Sequence, residues 1–197
     1  AHNTGQLMSH GALSLTAQSI VNDQGNIGGQ GHTKLAVQAD FMNKGEVFDV
    51  ANMTLTVGGR IDNQSLLAAG KNLTLNAQTL ANAGNIQSGK GEMHLQVQGK
   101  LTNKKTIASG KDLTIDTGKM LDNQGTIGAA KTLHIQAQNA LNNGQVNGGT
   151  LDTTIHIKED LHNQHAITNN NRLALTVGHH LHNEPKINAA AQHDIPA

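Results

Sequence analysis

One feature limits the folds open to this chain more than any other: an apolar-x-Asn triplet that recurs about every 20 residues along all 197 residues. The repeating asparagines are Asn3, Asn22, Asn43, Asn63, Asn82, Asn103, Asn123, Asn143, Asn163 and Asn183. Folding the sequence on that period aligns further columns. Two residues before each Asn stand Ile20, Phe41, Ile61, Leu80, Leu101, Leu121, Leu141, Leu161 and Leu181. Three to five residues after it comes another aliphatic: Leu7, Ile27, Val47, Leu67, Ile86, Ile107, Ile127, Val146, Ile167 and Ile187. Upstream lies an alternating segment whose centre is Leu15, Leu35, Leu55, Leu75, Leu95, Ile115, Ile135, Ile155 or Leu175, always Leu or Ile. A fixed period of this length marks a repeat architecture.

Within each unit the apolar spacing is two, so the elements are short strands separated by Gly, Asn or Ser, as at Ser88-Gly89, Ser109-Gly110 and Gly148-Gly149. Such a unit cannot bury its own apolar face; stacking the units does. The expected fold is all-β, a parallel β-helix with one coil per repeat and about nine coils. At ~4.8 Å per coil it makes a rod of roughly 43 Å. The whole chain, 1–197, reads as one such segment. The Asn column, Asn22 to Asn183 with Asn143 in the seventh coil, is expected to form a turn ladder. Asn tolerates unusual turn backbone, and its stacked amides donate and accept along the axis.

These residues resemble the haemagglutinin repeats of filamentous haemagglutinin-like exoproteins of the two-partner secretion family of Gram-negative bacteria. The match rests on Leu113-Thr-Ile-Asp-Thr-Gly-Lys-Met-Leu-Asp-Asn-Gln-Gly-Thr-Ile127 and Leu73-Thr-Leu-Asn-Ala-Gln-Thr-Leu-Ala-Asn-Ala-Gly-Asn-Ile-Gln-Ser-Gly89. The resemblance implies a right-handed β-helix, export through an outer-membrane transporter, and display at the bacterial surface. It also implies a receptor or glycan on a host or neighbouring bacterium as partner. Members act as adhesins or as sticks that carry a toxin in contact-dependent growth inhibition. The Asn-Pro-Asn motifs of the family's secretion domain and its Val-Glu-Asn-Asn toxin junction are missing; the only prolines are Pro185 and Pro196. Asn3 opens within a repeat and Gln192-His193-Asp194-Ile195 begins another strand, so an internal segment, truncated at both ends, is expected.

Composition narrows the function. Lys+Arg and Asp+Glu are 14 each, and Phe41 and Phe48 are the only aromatics, which argues against nucleic-acid binding. Cys is absent, so no disulfide or thiolate chemistry is available. No apolar run reaches the ~20 residues of a membrane helix. The acids are scattered: Asp62 and Asp122 share a column three coils apart, and Asp112, Asp116 and Asp122 fall in one coil. No paired-carboxylate site is expected, nor any enzyme activity or cofactor. Gly28-Gly-Gln-Gly31 lacks the aspartate of a calcium-binding β-roll.

Two surface features remain. Lys71, Lys111 and Lys131 share a column before the alternating strand, placed to meet a sulfated glycan or acidic headgroup. An aggregation-blocking role for exposed Lys is the alternative. Six of the twelve histidines lie between 156 and 182. His162 and His182 precede the ladder Asn on neighbouring coils, with His180 two residues from His182. This triad is a candidate Zn²⁺ or Ni²⁺ site, or a group that charges together below pH ~6.5 and loosens the last coils. A plain exposed polar column is the other reading. Asp49-Val50-Ala51 and Asn169-Asn-Asn171 replace the usual small turn residues, and Phe48 is expected at the surface.

Overall fold

The computed structural model describes residues 1–184 and 187–194, with side chains to 184 and at 187. Ile195, the end of the expected terminal strand, and both prolines lie outside the described residues. Every described element is a strand, and every pairing is parallel, between one coil and the next. Each coil contributes three short strands, so the β-solenoid has three faces. In one coil they are Arg60–Asn63, Leu66–Ala69 and Leu73–Ala77.

The register is what the repeat dictates. On the third face Leu15, Leu35, Leu55, Leu75, Leu95, Ile115, Ile135, Ile155 and Leu175 stand directly above one another. Period-two alternation then sends one side of every strand inward, and a single column of Leu, Ile, Val and Met fills the interior. Leu7 and Leu181 are half-exposed.

The first face carries the ladder. Each Asn Nδ2 donates to the Oδ1 of the Asn one coil on: Asn22 to Asn43 at 2.9 Å, Asn43 to Asn63 and Asn63 to Asn82 at 2.8 Å, Asn82 to Asn103 at 2.8 Å. From Asn3 to Asn123 its second hydrogen goes to a backbone carbonyl of that next coil, the residue before the inward aliphatic. Asn43 binds Leu66 O at 2.9 Å, Asn82 binds Thr106 O at 3.0 Å and Asn103 binds Thr126 O at 3.1 Å. The aligned amides polarise one another. Each Asn also fastens the turn of its neighbour, so the distance from Asn to the next aliphatic is fixed at four residues. Asn22 precedes Ile27 by five, and the extra residue is absorbed at Gln24, whose φ of 64° lies in the left-handed region.

The seventh coil corrects the sequence-based expectation. Asn142, not Asn143, stands in the ladder: Asn123 Nδ2 reaches Asn142 Oδ1 at 2.8 Å and Gln145 O at 3.1 Å, and Asn142 donates to Asn163 at 2.7 Å. Asn143 is exposed. Ala140 therefore points inward between Leu121 and Leu161, and Leu141 is turned outward beside Asp122 and His162. The reason is the four-residue turn: counted back from the buried Val146 it ends on Asn142. One residue is dropped at the corner between Thr117 and Met120 of the preceding coil's register. With Asn142 in place the ladder spacings run 19, 21, 20 three times over, so the chain is built on a 60-residue unit of three coils.

Alanine where other coils have a large aliphatic leaves an apolar cavity of about 20 Å³ bounded by Leu121, Ile135, Val146, Ile155, Leu161 and Ile167. Ala140→Val is expected to fill it and raise stability by up to about 1 kcal/mol, read from the urea midpoint. A loss would mean that the site cannot take the extra methyl groups.

A second polar column, not foreseen from the sequence, closes the next turn. Ser88 Oγ lies 2.9 Å from Ser109 Oγ; Ser109 donates to Asp112 O at 2.8 Å, and Asn169 to Arg172 O at 2.6 Å. Asp49, fully buried in this column, accepts Thr33 Oγ1 and the Ala51 amide, each at 2.7 Å. The two irregular sequences are thus polar caps that satisfy turn amides and carbonyls.

Candidate functional site

The outward residues of the ladder face form a continuous column: Met42, Asp62, Ala81, Thr102, Asp122, Leu141, His162 and His182. In-register parallel pairing sets neighbouring members one strand spacing apart. His162 and His182 meet edge to face, ring centroids 4.5 Å apart at 77°. Glu184, two residues beyond His182 and so on the same side of the strand, completes the group. Its Oε1 lies 3.1 Å from His182 Nε2 and 3.6 Å from His162 Nε2, and Gln164 Nε2 is 3.4 Å away. All three side chains are about half exposed, at 46% for His162, 62% for His182 and 53% for Glu184.

His180 does not join them. It sits at the corner before the strand, where its backbone NH and its Nδ1 both reach Asp160 Oδ1 at 3.1 Å. The alternation that places His182 and Glu184 together was visible in the sequence; the bond between His180 and Asp160 was not, because it joins coils 20 residues apart.

Three acids at this end are held below their usual carboxylate range. For Glu184 the main cause is the bond to His182, then Gln164; for Asp160 it is His180; for Glu159 it is the amides of Gln138 and then Asn139. A depressed native pKa adds stability above the unfolded value and loses it as pH falls through the native one. The coils from 158 to 184 are therefore expected to lose amide-exchange protection as pH drops below about 4.5, ahead of coils 41 to 123. Equal loss along the whole rod would refute the assignment. His162 and His182 share the Glu184 carboxylate, and His180 has that of Asp160 beside it.

The lysine column is interrupted. Register places Gly91 between Lys71 and Lys111, and only Lys111 and Lys131 stand on adjacent coils. Lys111 Nζ is 3.7 Å from Glu92 Oε1, while Lys71 and Lys131 are exposed. Three of the scattered acids have structural partners: Lys100 Nζ reaches Asp122 at 2.8 Å, Arg60 is 3.3 Å from Asp62, and Asp112 accepts the Thr132 amide at 3.0 Å. Phe48 is 37% exposed on the second face, at the edge of a shallow groove of about 390 Å³ over Ala68, Gly89 and Ala108. No helix among the described residues is long and apolar enough to cross a membrane.

Comparison with protein families matches the haemagglutinin repeat at residues 1–65, 50–105 and 98–184, which together span nearly the whole chain. Comparison with curated proteins and with solved structures gave no match.

Proposed function

This chain belongs to the haemagglutinin repeat family, and on that footing we propose that it is a length of the shaft of a secreted, surface-displayed filamentous adhesin of a Gram-negative bacterium. The shaft holds distal binding or toxin-bearing parts away from the cell. Export runs through an outer-membrane transporter of the two-partner secretion type, recognised by regions other than these repeats. The observation that carries the reading is the continuity of the Asn ladder and core through the described coils. Stability is spread along the axis, nearest neighbour to nearest neighbour, which is what a stiff spacer requires. Coil-on-coil growth also suits a chain that folds after crossing a membrane.

A second reading, with the segment itself as the receptor or glycan contact, draws on the adjacent pair of half-buried Lys111 and exposed Lys131. Labelled chain is offered to epithelial cells, bacterial cells and heparin at low and high salt. The shaft reading expects no saturable binding to any of them. Saturable binding that weakens with salt and falls in Lys111→Ala and Lys131→Ala would replace it with the adhesin-module reading. A toxin-carrying parent, as in contact-dependent growth inhibition, is tested by inhibition of neighbouring cells by the full-length protein.

A further inference from the structure

We propose that His162, His182 and Glu184 form a binding site for a borderline transition-metal dication of the Zn²⁺ class, clamping two successive coils together. The donors are two imidazole nitrogens and one carboxylate oxygen, all within 4.8 Å of one another. Three protein ligands of this type with one open position are a zinc arrangement; two nitrogens disfavour Ca²⁺ and Mg²⁺, which take oxygen. Bonds of about 2.0–2.1 Å in tetrahedral geometry set neighbouring ligand atoms about 3.3 Å apart. The Glu184 oxygen already stands 3.1 Å from His182 Nε2 and 3.6 Å from His162 Nε2. Closure then needs only side-chain rotation at exposed positions. The backbone is fixed independently by the pairing of His162 with His182 and of Asn163 with Asn183. Bond donation from Asn163 Nδ2 to Asn183 Oδ1 at 2.7 Å locks the same two coils just beneath the ligands.

The site exists only when the coils are stacked, since the histidines are 20 residues apart in the chain. Metal binding is therefore linked to ordering of this end of the rod. The ligand set needs deprotonated donors, so metal binding releases protons and weakens on acidification. His180 is not a ligand; Asp160 holds it. The inference is independent of the shaft reading.

The test is calorimetric titration of ZnCl₂ into the whole chain, purified without a histidine tag. Expected are one ion per chain with micromolar affinity at pH 7.5, a loss of at least about tenfold in His162→Ala and in His182→Ala, and an unchanged isotherm in His180→Ala. A cobalt-substituted sample should show tetrahedral visible absorption that disappears in the same two variants. Because the three side chains are exposed, the variants keep the fold. No stoichiometric binding up to millimolar zinc, or binding that persists in a His162→Ala/His182→Ala double variant, overturns the proposal.

Discussion

Asn103→Ala is expected to lower the free energy of unfolding by about 2–4 kcal/mol, although it removes no apolar area. Asn103 is fully buried at the middle of the ladder. Its Oδ1 accepts Asn82 Nδ2 at 2.8 Å, and its Nδ2 donates to Asn123 Oδ1 at 2.9 Å and to Thr126 O at 3.1 Å. Alanine leaves the buried Asn123 oxygen and the part-buried Thr126 carbonyl without that donor. Each stranded group costs roughly 1–3 kcal/mol. Asn82 keeps its bond to Thr106 O, which limits the damage on that side. Asn143→Ala serves as the contrast: the residue is exposed outside the ladder, and its change should stay within about 0.5 kcal/mol. Urea unfolding followed by far-ultraviolet circular dichroism measures both. Equal effects at the two positions would contradict both the ladder and its register.

The second large effect comes from the core. Phe41→Ala should cost about 3–5 kcal/mol. Phe41 is fully buried and is the largest side chain in the interior, stacked between Ile20 and Ile61 in the inward column of the ladder face. Its neighbours are held in register by backbone pairing on all three faces, so the cavity cannot collapse by sliding a coil. The damage should be local first. Amide exchange is expected to speed up in coils 20 to 63 before it does in coils 101 to 142, as nearest-neighbour coupling requires. A loss below about 1 kcal/mol would show that the coils relax around the gap far more freely than their pairing suggests.

Both effects follow from one arrangement, an apolar column flanked by a polar one. The first supplies the bulk of the stability; the second fixes which residue stands above which. Leu and Ile in the central column are interchangeable in this respect, since any of them fills the slot. The asparagine is not: only a side chain with both a donor and an acceptor carries a ladder through every coil. The repeat conservatively keeps hydrophobic type in one column and residue identity in the other.

The sequence by itself determined the solenoid. Strand periodicity and the 20-residue period are local properties of the chain, and together they leave no other way to bury nine copies of the same apolar face. The inward positions of most coils, and the asparagine ladder apart from its seventh member, were therefore legible in the sequence, as was the outward pairing of His162 with His182. Tertiary structure decided the positions where two local readings compete. Leu141-Asn142-Asn143 offers two registers of equal local quality, and the more conventional apolar-x-Asn triplet is the one not used. The choice falls to Asn142: across the four-residue turn that most coils use, the amide of Asn123, one coil away, reaches both the Asn142 oxygen and the carbonyl of Gln145. The 19, 21, 20 alternation held that answer, but only once the other coils were aligned. In the same way His180 left the expected triad for Asp160, and Glu184 entered it. Which partner a surface side chain takes depends on how the chain turns its corner and on what the adjacent coil presents there, and a periodicity within one coil carries no information about either.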